Sequence, residues 1–450
     1  MADSQSKQRS LLRSYGKSIV EILGREPVHP FPARMAPGIA LDVLSDAEKP
    51  LRVLDPMMGS GTVLTVARAK GHYAIGFDID PLAVLIARVW TTAIDPDEVR
   101  DKAAEVVARA RAIFASLPTR YAYPQQADRD TRRFVAYWFD DYARRQLASL
   151  SIVIGRVRDD HVRDALWCAF SRLIITKQAG ASLAMDLAHS RPHKVFHRAP
   201  LKPIRKFLVA VERVVGNCID KGSEGRGPVA RTCEGDARDL PLTENSADLV
   251  LTSPPYLNAI DYLRCSKFSL IWMGHRVGEL QRTRAECVGT EARDQSAEDD
   301  SDVRSILQEL QLPPTLPDRI AAFLRRYVYD MKLALREAGR VLAPGGRAVY
   351  VVGENTVRGA FIRNSLIVSG VAELAGLSLQ GQHVRSLPPN RRYLPPPLVK
   401  KRPLGLDVRM GREVVLTFAK PPAKANNSGR RHAPSLVGPG GASTTRLADQ

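Results

Sequence analysis

Residues 51–80 read LRVLDPMMGSGTVLTVARAKGHYAIGFDID. The opening LRVLD is an apolar run of the length of a buried strand, and PMMGSGT after it is a tight turn. Residues 63–71, VLTVARAKG, carry a helical period and close on glycine. YAIGFDID is a second strand, and Asp80-Pro81 opens another helix to about Val89, with Asp80 as N-cap and Pro81 at the first helical position. A strand–helix–strand–helix order with such short connections requires parallel strands joined by crossover helices.

Upstream, residues 10–23 fit a short amphipathic helix, and HPFPARMAPGIALDVL (29–44) is a proline-rich turn feeding a helix. Downstream the alternation stops. Residues 91–231 are mostly helical in pattern and rich in Arg and Ala, with loops at 125–131 and 222–227. Strands and helices resume with TCEGDARDLPL and SADLVLTSPPY. Residues 281–317 are polar, with the acidic run EDDSD at 298–302, and read as a mobile, solvated loop around a short helix. A helix over 317–340, a glycine turn and strand over 344–354 (PGGRAVYVVGE) and a last strand over 413–420 (EVVLTFAK) complete the ordered pattern. From Pro421 the chain is rich in Ser, Gly, Pro and Ala without periodicity, the composition of a disordered tail.

The 66 Lys and Arg against 48 Asp and Glu leave a formal net charge of +18, which favours a polyanionic partner such as nucleic acid. Cys168, Cys218, Cys233, Cys265 and Cys287 have no metal-site spacing, and their scattered, odd count fits free thiols in a reducing compartment. His189 and His193 lie four apart without a third ligand, so no metal is expected. The first residues have no signal-peptide core, and no uncharged apolar run reaches the roughly 18 residues of a membrane span. A soluble, cytoplasmic protein is expected.

Four places carry candidate chemistry. Gly59 and Gly61 sit between a strand and a helix, where glycine allows a tight turn and close approach of a ligand to the main chain. A ligand-free βα turn has the same form. Asp78 ends the second strand, placed to hydrogen-bond ribose hydroxyls, while Asp55 ends the first and can face a cationic group. Asp236, in the turn EGDARDLPL, either accepts from the exocyclic amine of a nucleobase or bonds its own backbone. In LVLTSPPY (249–256), two prolines at a strand end remove two donors and fix two φ angles, and an aromatic follows at once.

In combination these residues resemble the S-adenosylmethionine-dependent amino-group DNA methyltransferases. HPFPARMAPGIA is similar to the family's N-terminal cofactor motif, DPMMGSGT to its DPFxGSGT loop, GFDID to its acidic ribose position, and TSPPY to its catalytic (D/N/S)PPY tetrapeptide; RVLAPGGRAVYVVGE is similar to the helix–turn–strand after it. Met57 departs from the usual aromatic. The resemblance spans residues 29–354, interrupted by the unmatched insertion. It implies a class I Rossmann-like methyltransferase: an α/β fold with a mainly parallel doubly wound sheet and a large, mostly helical insertion between the second and third strands. The implied segments are an N-terminal helical leader (1–24), a first part of the methyltransferase domain (25–90), an insertion suited to target recognition (91–230), a second part (231–420) and a disordered tail (421–450).

For the cofactor, S-adenosylmethionine, the resemblance implies contacts from Phe31, Asp55, Gly59, Ser60, Gly61, Thr62, Asp78, Asp236 and Ala237. For the reaction it implies that the Ser253 side chain and the Pro254 carbonyl accept from the target amine, that Pro255 stiffens the mount, and that Tyr256 stacks on a flipped base. A serine in the first position is found more often with cytosine N4 methylation than with adenine N6. DNA is the expected partner. Arg191, His193 and Lys194 in the insertion, and Arg391, Arg392, Lys400 and Lys401 in a segment where 12 Lys and Arg meet 2 Asp and Glu (385–431), are candidate phosphate contacts. A partner nuclease is not legible in the chain.

Overall fold

Two interleaved sets of apolar side chains make the central sheet a buried wall. Val53, Leu249, Leu251, Val349, Val351 and Val415 face one layer of helices, and Leu54, Val250, Ala348, Tyr350, Val352 and Leu416 face the other. Strands buried on both faces read as continuous apolar runs rather than alternating ones, and they need helices on each side. The computed structural model describes residues 14, 16–31, 35–187, 192–222, 228–255, 257, 262–289, 295–314, 316–357, 360–387 and 411–422.

The seven strands of this sheet are β1 (Arg52–Asp55), β2 (Tyr73–Asp78), β3 (Ala230–Glu234), β4 (Ala247–Thr252), β5 (Leu342–Gly353), β6 (Ser378–Ser386) and β7 (Arg412–Ala419). Their order is β6-β7-β5-β4-β1-β2-β3. Neighbours from β3 to β5 are parallel; β7 runs antiparallel to both β5 and β6. This is the mainly parallel, doubly wound, Rossmann-like class expected. The chain winds outward from β1 through β2 to β3, then returns to place β4 on the other side of β1. At such a reversal the crossovers leave in opposite directions, and a crevice opens at the carboxyl ends of β1 and β4.

Helices α1 (Ile19–Leu23), α2 (Pro37–Ser45), α3 (Thr62–Ala69) and α4 (Pro81–Thr91) come first. Between β2 and β3 the insertion supplies α5 (Pro96–Ser116), α6 (Arg129–Trp138), α7 (Asp141–Ile154), α8 (Asp160–Arg172) and α9 (Pro203–Val215). It has its own core, built around Trp90, Phe139, Phe170 and Phe207, and shares α4 with the sheet. Its two ends meet in a short parallel ladder, Ala93 opposite Ile219 and Ile94 opposite Asp220.

After β4 come α10 (Tyr262–Leu270), α11 (Val277–Glu286), α12 (Gln295–Asp299), α13 (Ser301–Glu309), α14 (Asp318–Val341) and α15 (Asn364–Leu374). Four expectations are corrected. Residues 281–317 are not a loop around one helix but hold parts of three helices. The acidic run is solvated only in part: Asp299 is exposed, but Asp300 caps α13 by accepting from the amides of Asp302 and Val303, and Lys332 lies 2.8 Å from Asp300 and 2.6 Å from Asp302. Val303 and Ile306 bury the underside of α13, and so few apolar positions in a charged segment gave a loop-like pattern. At the N-terminal side, the described helix is only α1, five residues capped by Ser18 and closed by Gly24 at φ 68°. The loop placed at 125–131 ends earlier, since Asp128 caps α6 and accepts from the Thr131 amide at 2.8 Å. Among the described residues no helix is long and apolar enough to cross a membrane.

Candidate active site

The crevice floor is set by one hydrogen bond. Thr252, the last residue of β4, donates its hydroxyl to Asp55 Oδ1 at 2.7 Å, at the end of β1. Both residues are buried. Asp55 Oδ1 also accepts from the Met57 amide at 3.2 Å and so starts the glycine turn. Next to it, Asp78 at the end of β2 accepts from the Gly59 amide at 2.9 Å and from the Asp80 amide at 2.9 Å. The acidic residue expected to meet a ribose therefore also shapes the loop over it. Each carboxylate oxygen has two lone pairs, so these bonds leave acceptor capacity.

The glycines are required by geometry. Gly61 has φ 84° and caps α3 without a side chain; a Cβ there would stand 2.9 Å from Ala87 Cβ. Gly59 has φ 51° and lies against Phe31, whose Cε1 would be 3.6 Å from its Cβ. Phe31 and the glycine loop, distant in sequence, thus form one surface. Ser60 and Thr62 are buried, and Thr62 Oγ1 has no hydrogen-bond partner in the described structure. With no side-chain cap at Gly61, the first amides of α3 point out of the turn as a ready anion or hydroxyl site.

Asp80 does the capping expected of it, accepting from the Leu82 amide at 2.9 Å. It also accepts from the Ser266 hydroxyl at 2.6 Å, which ties α10 to the cofactor half of the sheet. Burial pushes the carboxyls of Asp55 and Asp80 up to about 7 and that of Asp78 up to about 6. The charge of Asp78 adds to the shift at the other two. Among the described residues no ion pair neutralises any of the three. Such a group of buried, uncompensated carboxylates favours a cationic ligand.

Asp236 follows β3, and the amide of Gly235 before it bonds the carbonyl of Asp78 at 3.1 Å, which brings Asp236 beside the ribose position. Asp236 does bond its own backbone, accepting from the Arg238 amide at 2.9 Å, and its carboxylate is also gripped by the Arg238 side chain. Ala237 is buried next to it.

Ser253 continues β4 past Thr252. Its hydroxyl donates to the Val351 carbonyl on β5 at 3.1 Å. A hydroxyl carries one proton, and this bond commits it. Pro254 is buried and Pro255 half-buried. Tyr256 lies outside the described residues. The chain is picked up again at α10, held on one side by Ser266 and on the other by Phe268, whose ring stands 5.0 Å from both Phe134 and Trp138 of α6. A buried chain of hydroxyls, Ser171 on α8 donating to Ser269 on α10 at 2.9 Å with His29 Nε2 2.9 Å from Ser171, joins the same parts.

Of the candidate nucleic-acid residues, His193 and Lys194 are exposed, and Lys194 Nζ stands 4.9 Å from the centre of the Tyr137 ring on α6. Arg191, Arg391, Arg392, Lys400 and Lys401 lie outside the described residues. The structure thus brings Phe31, Asp55, the glycine loop, Asp78, Asp236 and Ser253 to the carboxyl end of the sheet, and places Lys194 on the insertion. Sequence reasoning missed Thr252, Arg238 and Ser266. Thr252 had a signal, a hydroxyl closing an apolar strand just before Ser253; the other two had none.

No protein-family model matches the chain. The chain is similar to the type II methyltransferase M.MvaI of Kocuria varians, 23% identical over 365 residues covering 76% of this chain and 79% of that protein. It is also similar to the type II methyltransferase M.AvaI of Nostoc sp., 23% identical over 374 residues and 73% of each chain. Among solved structures, a TehB-like SAM-dependent methyltransferase from Corynebacterium glutamicum aligns at 11% identity over 93% of this chain and 98% of that one, with a TM-score of 0.28. A SAM-dependent methyltransferase from Methanosarcina mazei aligns at 8% identity over 84% and 95%, with a TM-score of 0.31.

Proposed function

We propose that the chain is an S-adenosylmethionine-dependent DNA methyltransferase that transfers a methyl group to the exocyclic N4 amine of a flipped cytosine. The observation that carries the reading is the Thr252–Asp55 hydrogen bond, which fastens the tip of the Ser253-bearing strand to the strand that opens the glycine loop. The similarity to type II methyltransferases over about three quarters of the chain supports the reaction class and a setting in site-specific DNA modification.

The residues present fit the cofactor. Gly59 and Gly61 hold the positive-φ turn that leads into α3, Thr62 Oγ1 is a buried hydroxyl with no hydrogen-bond partner among the described residues, and buried Asp55 and Asp78 end the two strands at the crevice without a counterion. When bound, S-adenosylmethionine supplies a methyl group on a cationic sulfur. On this reading Asp78 accepts from the ribose hydroxyls, Asp236 from the adenine amine, and Asp55 faces the cationic end beside Phe31.

An exocyclic amine is a weak nucleophile because its lone pair is shared with the ring. On this reading the Ser253 hydroxyl, whose proton is given to Val351, accepts from one amine N–H, and the Pro254 carbonyl accepts from the other. The nitrogen can then pyramidalise and direct its lone pair at the methyl group. The transfer would be an in-line displacement in which the carbon–sulfur bond breaks as the carbon–nitrogen bond forms and the surplus amine proton passes to solvent, so placement dominates the rate, and buried Pro254, just past a strand locked to β1, supplies it. Tyr256 stacks on the flipped base. The choice of cytosine over adenine is supported by serine at position 253. DNA as partner is supported by the net charge of +18 and by the exposed Lys194 and Tyr137 on the insertion.

Incubation with methyl-labelled S-adenosylmethionine and duplex DNA, followed by nucleoside mass analysis, tests the proposal. N4-methylcytosine is expected. N6-methyladenine would replace the base assignment, label confined to RNA would replace the substrate, and cofactor binding without transfer would end the enzyme reading.

A further inference from the structure

Asp236 stands on a half-buried turn with its carboxylate about a third exposed, and it is held by a full guanidinium fork. Arg238 Nε lies 3.0 Å from each carboxylate oxygen and Nη2 2.6 Å from Oδ2, a planar fork on a planar acceptor. Arg238 is itself anchored at two further points. Its Nη1 donates to Asp330 Oδ1 at 2.6 Å and its Nη2 to the Glu286 carbonyl at the end of α11. Asp330, on α14, is fully buried, accepts from the Gly289 amide at 3.0 Å and is shared with Arg326 at 2.9 Å. Two carboxylates and two guanidiniums make a neutral cluster in which each charge has its counterion.

We infer that Arg238 is a positioning residue that fixes Asp236 as a single-orientation acceptor and thereby makes the site selective for a 6-aminopurine cofactor. This rests on the cofactor reading given above. An aspartate that accepts bonds only from its own turn can rotate out of line with the amine, and water then takes its place, so amine and oxygen at position 6 are told apart poorly. A carboxylate held in line by the Arg238 fork presents an acceptor at that position, so a 6-oxo group meets an acceptor facing an acceptor. Sites that hydrogen-bond a substrate N–H discriminate strongly because the mismatch leaves a polar group unpaired.

The test measures, by titration calorimetry, the affinities of S-adenosylhomocysteine and S-inosylhomocysteine for the wild-type chain, Arg238→Gln and Arg238→Lys. Wild type should prefer the adenosine compound by about 30-fold or more, roughly the worth of one hydrogen bond to a charged group. Arg238→Gln should bring the ratio to within about threefold, and Arg238→Lys should fall between, because it keeps charge but not the fork. A purely structural role for Arg238 would weaken both ligands equally and leave the ratio unchanged, and that result overturns the inference. The ratio is read on the fraction of each variant that thermal melting shows to be folded; Arg238→Lys, which retains the cation, carries the test if Arg238→Gln does not fold. Wild type binding both compounds equally would also overturn it. Wild type binding neither would remove the cofactor reading itself.

Discussion

Thr252 and Asp55, 197 residues apart in the chain, are joined by a 2.7 Å hydrogen bond between the last residues of two adjacent parallel strands. The bond spans the point where the strand order reverses. It is also among the causes that hold the Asp55 carboxyl below where burial alone would put it.

Thr252→Val removes that donor while keeping the side-chain shape. The Asp55 carboxyl then rises above about 7, because its largest remaining influence is burial. The acid limb of the kcat/KM profile should move to higher pH, and stability should fall by roughly 1–3 kcal/mol for a buried acceptor that has lost a partner. An acid limb that stays in place would show that Asp55 does not need to ionise.

Cofactor affinity should depend on pH. Asp55 and Asp80 titrate near 7 and Asp78 near 6 when folded, against an ordinary aspartate value of 3.8. Between about pH 4 and 7 the folded chain therefore holds protons that the unfolded chain has lost. These groups contribute stability that is complete below pH 4 and disappears as pH rises to about 7. A cationic ligand selects the ionised forms, so S-adenosylmethionine should bind more tightly as pH rises from 5.5 to 7.5, with proton release. Calorimetry in buffers of different ionisation enthalpy measures both, and an affinity that is flat over that range would contradict the assignment.

Ser253→Ala should leave cofactor affinity intact and lower kcat by about ten- to a hundredfold, the loss of one acceptor in the transition state. Single-turnover transfer separates this from slow product release. A variant that keeps full kcat would move the acceptor role entirely to the Pro254 carbonyl.

Gly61→Ala should cost roughly 2–4 kcal/mol, from a left-handed backbone and from crowding of a packed site. Its Cβ would meet Ala87 Cβ at 2.9 Å. Adding Ala87→Gly should recover only part of the crowding and none of the backbone part, because the Ala87 Cα would still stand 3.1 Å from the new Cβ and a glycine inside α4 costs about 1 kcal/mol of its own. Urea denaturation of the two variants measures the split.

The cofactor half of the fold was legible because its chemistry is local. Gly59 and Gly61 turn the chain, Asp80-Pro81 starts a helix, and Asp55 and Asp78 end strands, all within residues 55–81. What was not legible depends on partners distant in sequence. Arg238 reads as one more basic residue until Asp330 and Glu286 are brought to it. The polar stretch before α14 became helical through Lys332. β6 has the sequence SLQGQHVRS and is mostly exposed, so it carries no alternation, and pairing with β7 alone makes it a strand.

The short ladder between residues 93–94 and 219–220 has an evolutionary consequence. A chain excursion whose two feet stand side by side places no strain on what it leaves, whatever its length. Lineages can lengthen, shorten or exchange the body between those feet while the chemistry next door stays under separate selection. A graft cut at Ile94 and Ile219 would still have to match α4 and α10, because Trp90 and Phe268 are packed into the core of the insertion.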